Sequence, residues 1–265
     1  LVLALILLGC SPFNQQSSET FLLLDNGAVM HSRFIVSDSG IFRGQGHIAA
    51  MLWRKNQTPI GAIQHSTAHD VKWNDELRQI GSGKIDRTEQ SLRITQTEFN
   101  LRINFAKPTG NCEFIIGQHN WSVSFGSDWS NGWLHASGSA IPMRGLAIQV
   151  ERSGPAITAP LDELIVAANP SKQLLWVQVG NESHGCLKTD TGVRVIDRAE
   201  TAGPQTFRIT KAPANIYGAD TPYSDHTILD QAVLLANSTP TQYLWKHIMI
   251  SDQDNRWSAM HRVAQ

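Results

Sequence analysis

The string most able to do chemistry is Ser183-His184-Gly185-Cys186. Thiolate is the reactive form of cysteine, and a nearby imidazole raises its population. Read that way, Cys186 is a nucleophile and His184 assists it. The plainer reading is a strand-to-strand turn carrying a structural cysteine. In His65-Ser66-Thr67-Ala68-His69-Asp70, two imidazoles stand four residues apart, a spacing that lets a helix offer both to one metal. No amphipathic pattern and no third ligand accompany them, so the segment reads as a polar loop. The sequence calls for no metal and no cofactor. Trp121, Trp129 and Trp133 cluster among Gly126, Gly132 and Gly138. Aromatics interleaved with glycine suit the strands of a barrel or sandwich, where an indole closes a core or lines a cavity. Trp121, Trp133 and Trp176 are candidate walls of a pocket for an apolar ligand or a sugar; core packing is the alternative for each. No phosphate-binding glycine loop, serine-hydrolase elbow or close carboxylate pair stands out.

Ser183-His184-Gly185-Cys186 resembles the signature of L,D-transpeptidases, which cross-link peptidoglycan through a cysteine. The resemblance implies a peptidoglycan enzyme with Cys186 as nucleophile and His184 beside it. The chain departs from that family in three ways. Lys188 stands where the family places Arg. The nearest upstream histidine is the distant His135. Gln173-Leu174-Leu175-Trp176-Val177 resembles the family's opening strand but directly precedes the motif.

Leu1-Val2-Leu3-Ala4-Leu5-Ile6-Leu7-Leu8-Gly9-Cys10 is an unbroken apolar run ending in Gly-Cys. It is too short to span a bilayer as a helix and has the size of a signal-peptide hydrophobic region. Its Leu-Leu-Gly-Cys end resembles the bacterial lipoprotein cleavage box. The resemblance implies a signal over residues 1–9, cleaved before Cys10, and lipid on Cys10. Residues 10–20 then read as a flexible tether, and Ser11 beside the cysteine, in place of Asp, points to the outer membrane, on its periplasmic face. With no initiator Met and no basic region ahead, the sequence reads as starting inside the signal. A buried apolar element at the N-terminus is the alternative. With Cys10 given to lipid, Cys112 and Cys186 remain as a pair in an oxidising compartment, either bonded or as separate thiols.

Removing nine residues from 265 leaves 256, enough for one large or two small domains. The formal net charge of −1 provides no field to recruit nucleic acid. Charged residues make up 17% and hydrophobic residues 41%, so the chain reads as globular. Strand signals dominate. In Phe99-Asn100-Leu101-Arg102-Ile103-Asn104-Phe105, the apolar residues share one face and the polar ones the other. Residues 92–96 form its hairpin partner. Further strands are expected at 30–36, 47–53, 59–63, 113–116, 121–125, 133–137, 146–150, 163–168, 173–179, 193–196, 206–210, 242–251 and 257–263. One short helix is expected at 225–235. The Gly- and Pro-bearing stretch near residue 155 divides an N-terminal β domain (21–153) from a C-terminal one (161–265). Many short strands argue an all-β antiparallel barrel or sandwich, two in tandem.

Residues 25–40, from Asp25-Asn26-Gly27 through Ser37-Asp38-Ser39-Gly40, are similar to an early strand-and-turn stretch of tandem lipocalin-like proteins. That group includes the AttH and carotenoid-hydratase proteins and the survival-factor lipid-binding proteins. The hairpin at 92–105 and the Gly- and Trp-rich middle suit the same plan. The chain lacks the group's Glu-Trp-Trp-Tyr opening and central Asp-His-x-Trp-Gly; Gln118-His119-Asn120-Trp121 is a partial echo. The resemblance implies two lipocalin-like halves and an apolar ligand, and carries no catalytic residues. The leading expectation is a membrane-anchored lipoprotein that binds a lipid-like small molecule. A cysteine transpeptidase is the alternative, and a structural or assembly lipoprotein using a sheet edge is a third.

Overall fold

A computed structural model describes residues 14–37, 46–55, 57–66, 71–73, 77–88, 90–96, 99–136, 138–155, 163–197, 208–220, 243–252 and 255–264. The helix expected at 225–235, the proposed signal with Cys10, and His69 lie outside them.

The described residues are all-β and every pairing is antiparallel. The first sheet begins with β1 (Asn14–Leu24), β2 (Val29–Ser37), β3 (Gly46–Trp53) and β4 (Ile60–Ser66). It continues through β5 (Val71–Trp73), β6 (Leu77–Ile80), β7 (Gly83–Arg87), β8 (Ser91–Gln96) and β9 (Phe99–Asn104). The hairpin β10 (Pro108–Ile116) and β11 (His119–Gly126), then β12 (Ser130–Ala136) and β13 (Ser139–Pro155), complete it. The spatial order is β4-β3-β2-β1-β13-β12-β9-β8-β7-β6-β5. It curls because strand twist accumulates, and a curled sheet can bury its inner face against itself. Leu22, Phe34, Ile48, Ile80, Ile94 and Ile103 fill that interior.

The 17-residue β13 is the spine. Its first part pairs with β12, its second with β11, and β1 lies along its other edge. At Gly145, where β12 leaves and β1 begins, a Cβ would sit 2.5 Å from the Leu23 carbonyl oxygen, so only glycine fits without a shift. The β10–β11 hairpin thus stands off the curled sheet, held to it through β11.

The second sheet contains β14 (Glu163–Ala168), β15 (Gln173–Val179), β16 (Glu182–Thr189) and β17 (Gly192–Asp197). It adds β18 (Arg208–Asp220), β19 (Tyr243–Asp252) and β20 (Asn255–Ala264), in the order β17-β16-β15-β14-β20-β19-β18. Asn169 closes the β14–β15 turn, its Oδ1 accepting from the amides of Ser171 and Lys172. The sheets share a core in which Phe21, Trp53 and Val123 meet Val166, Leu175 and Trp245. A third cluster, with Trp176, Ile250 and Trp257, covers the far face of the second sheet.

One boundary differs from the sequence reading. Residues 14–20, inside the expected tether, belong to β1, paired with β13 throughout and with β2 from Gln15 onward. Ser17, Ser18, Glu19 and Thr20 are all buried. Their polarity hid their burial; polar partners on other strands satisfy Ser18 and Glu19.

Candidate functional site

Alternation along β1 sends its residues to two polar sites on opposite faces. Glu19 points toward the second sheet with Phe21; Ser18 points toward the barrel interior with Leu22.

Between the sheets, Glu19 lies opposite Arg33 and Phe21 opposite His31 on β2. His31 Nε2 is 2.9 Å from Glu19 Oε2, and Arg262 Nη1 of β20 is 3.2 Å from the same oxygen. The His31 ring stacks on Phe21 at 4.6 Å and lies 4.9 Å from Trp245. Trp245 packs on Trp53 at 5.5 Å and carries the Arg262 guanidinium over its face at 5.2 Å. All these side chains are buried. Burial alone would raise the Glu19 pKa, but Arg262, the His31 hydrogen bond and Arg33 together hold it well below the usual carboxylate range. Burial pushes the His31 imidazole below its ordinary value, outweighing the pull of Glu19, so the ring is neutral near pH 7. A neutral imidazole oriented by a carboxylate is the arrangement of a general base. Ser17 Oγ, Trp53 Nε1 and Trp245 Nε1 are buried with no hydrogen-bond partner among the described residues.

The second site is an open groove of about 650 Å³ beside the β10–β11 hairpin, within the usual range for small-molecule pockets. Gln16, Glu113, Ile115, Ser122, Glu151 and Arg152 contribute to its lining, with the largely buried Phe114 and Trp121. Trp121 stacks on Phe114 at 5.8 Å, and the Arg152 guanidinium lies 5.4 Å from its ring centre. Ile115 is 64% exposed and presents a large aliphatic side chain to the groove. The groove therefore offers apolar surface beside both signs of charge.

Of the expected pocket aromatics, Trp121 borders this groove. Trp176 is buried in the core of the second sheet's far face, and Trp133 is 52% exposed; neither lines the groove. Cys112 of β10 and Cys186 of β16 form a disulfide with Cα atoms 6.0 Å apart. The bonded Cys186 carries no thiolate, and His184 packs near Phe114 at 6.2 Å. Lys188 donates to the Gly126 carbonyl at 2.7 Å and ties the second sheet to the end of β11. Among the described residues, no three His, Cys, Asp or Glu side chains gather as a metal site. Sequence reasoning missed Glu19, His31, Arg33 and Arg262. Their positions share no motif; the one available signal was a carboxylate inside a β-length run ending in Phe21-Leu22-Leu23-Leu24.

No family model and no curated protein matches the sequence. Solved structures share its fold. An AttH-like protein from Nitrosomonas europaea aligns with a TM-score of 0.60 at 12% identity, over 96% of this chain and 92% of that one. CghA bound to Sch210972 aligns at 0.59 and 10%, over 96% and 89%. Kievitone hydratase from Nectria haematococca aligns at 0.57 and 7%, over 95% and 89%. The chain thus has the lipocalin-like fold of the AttH and carotenoid-hydratase type. Identities this low establish the fold and leave function to the sites.

Proposed function

We propose that this protein is a lipoprotein, anchored through Cys10 on the periplasmic face of the outer membrane, that binds an apolar or amphipathic small molecule. The observation that carries the binding reading is the 650 Å³ groove, which joins the exposed Ile115 to Glu113, Glu151 and Arg152. One fold neighbour holds the small molecule Sch210972, which supports such a role for the architecture. The Leu-Leu-Gly-Cys string supports the anchor. Expression from Ser11 onward, followed by mass spectrometry of extracted lipids, tests the binding. Apolar molecules should co-purify. A well-folded chain that carries none and takes up no hydrophobic fluorescent probe would overturn it. Labelling with a palmitate analogue, lost in Cys10→Ala, tests the anchor.

The Glu19–His31 pair favours a second reading, a proton-transfer enzyme, and a hydratase stands among the fold neighbours. Incubation with kievitone should then yield a hydrated product that His31→Gln fails to make; no product from either chain counts against it.

A further inference from the structure

Ser18 leads to the barrel-side polar site. Its hydroxyl accepts from Arg78 Nη1 at 2.8 Å and from Arg87 Nη1 at 2.6 Å, and donates to Glu151 Oε1 at 2.8 Å. A serine oxygen has two lone pairs and one proton. With both lone pairs taken by guanidiniums, the hydroxyl can only donate, so the atom beside it must accept. Arg87 also donates to that Glu151 oxygen and to Gln149 Oε1, and Arg78 Nη2 lies 3.7 Å from the carboxylate. Two hydrogen-bond donors and a second guanidinium charge therefore converge on one oxyanion position.

The occupant of that position is its least enclosed member. Arg78 and Arg87 are 10% and 14% exposed in their side chains, whereas Glu151 is 40% exposed and lines the groove. The fixed donors sit inside, and the anion sits at the opening, where a side-chain rotation would carry it into solvent. We propose that Arg78, Arg87 and Ser18 form a carboxylate-binding site for the head of an amphipathic ligand, with Glu151 as the internal carboxylate that the ligand displaces. The ligand's apolar body would lie along the groove toward Ile115. This rests on the groove-binding reading and names its ligand class: a long-chain molecule ending in a carboxylate.

The test is calorimetric titration of the full chain, stripped of lipid, with decanoic acid, decanol and acetate. Decanoic acid should bind about tenfold more tightly than decanol, the scale of one charge-assisted hydrogen bond. Acetate, the head without the tail, should bind far more weakly than decanoic acid. Arg87→Gln should bring acid and alcohol within about twofold of each other, and Glu151→Gln, which leaves the donors in place and weakens their internal competitor, should tighten the acid only. Thermal melts of both variants check folding. Equal binding of acid and alcohol by the native chain would overturn the carboxylate site and leave the groove reading standing. Acetate matching decanoic acid would reduce the site to a general anion pocket and overturn the amphipathic ligand. Failure of both ten-carbon ligands to bind would overturn the groove reading itself.

Discussion

His31 Nε2 lies 2.9 Å from Glu19 Oε2, and neither side chain is more than 4% exposed. The pair sits where the curled sheet meets the second sheet, with Arg262 completing it from β20. Its ionisation is therefore coupled to how firmly the sheets are joined. Both native pKa values lie below those of the unfolded chain, so the unfolded chain binds more protons as pH falls and stability drops. His31 acts first, as pH falls below its ordinary 6.5, and Glu19 follows below 4.5. The melting temperature should fall between pH 8 and pH 5, and His31→Gln should flatten that slope. Identical slopes for the two chains would show that His31 titrates without coupling to folding.

Removing the carboxylate is a harsher test of the same network. Glu19→Gln leaves the buried Arg33 and Arg262 without the anion they face. Breaking one partner of a buried ion pair costs about 3–5 kcal/mol. Urea denaturation at neutral pH should show a loss on that scale. A loss below about 1 kcal/mol would mean that the guanidiniums find equivalent partners elsewhere.

The disulfide joins residues 74 apart in sequence and ties the β10–β11 hairpin to the second sheet. Closing a loop of that length stabilises by about 4 kcal/mol in the chain-entropy model. Cys112→Ser with Cys186→Ser should lose stability approaching that figure, and dithiothreitol should destabilise the native chain but not the double variant. Trapping with a thiol-specific reagent in denaturant should label neither cysteine before reduction. Labelling of Cys186 without reduction would restore the nucleophile reading of Ser183-His184-Gly185-Cys186.

Two tryptophans that look alike in sequence should behave differently. Trp245 is fully buried between the sheets against Trp53, His31 and Arg262. Trp133 is 52% exposed on β12. Trp245→Ala should cost about 3–5 kcal/mol by loss of packing and the cavity left behind. Trp133→Ala should cost under about 1 kcal/mol. Paired urea titrations decide it, and comparable losses would contradict the placement of either residue.

The strand pattern was legible where one face is apolar and the other polar. Phe99, Leu101 and Ile103 are buried while Asn100, Arg102 and Asn104 are exposed, and residues 92–96 pair with them. The all-β class follows from many such segments, and the tandem lipocalin-like plan from the resemblance of residues 25–40. The first half of β1 was not legible, because alternation is read from hydrophobicity and Ser17, Ser18, Glu19 and Thr20 are polar on both faces. What holds Ser18 and Glu19 in a buried strand is their partners: His31 and Arg262 for Glu19 on one side, Arg78, Arg87 and Glu151 for Ser18 on the other. Those partners lie up to 243 residues away, beyond the reach of any local pattern. The same residues build both polar sites, so the segment hardest to read locally is the one that carries them.

Ile115 separates the binding function from folding. It projects from β10 on the face opposite Cys112, Phe114 and Ile116, whose side chains are buried in the shared core. At 64% exposure it contributes little packing, yet it is the large aliphatic side chain of the groove lining. Ile115→Lys should therefore leave the melting temperature within a degree or two of the native value, as expected for a surface change. It should nevertheless weaken uptake of a hydrophobic fluorescent probe several-fold, because it places a hydrated ammonium where the ligand's apolar surface would rest. Unchanged uptake would move the apolar binding surface away from this groove. Weakened uptake with a lowered melting temperature would show instead that Ile115 supports the hairpin.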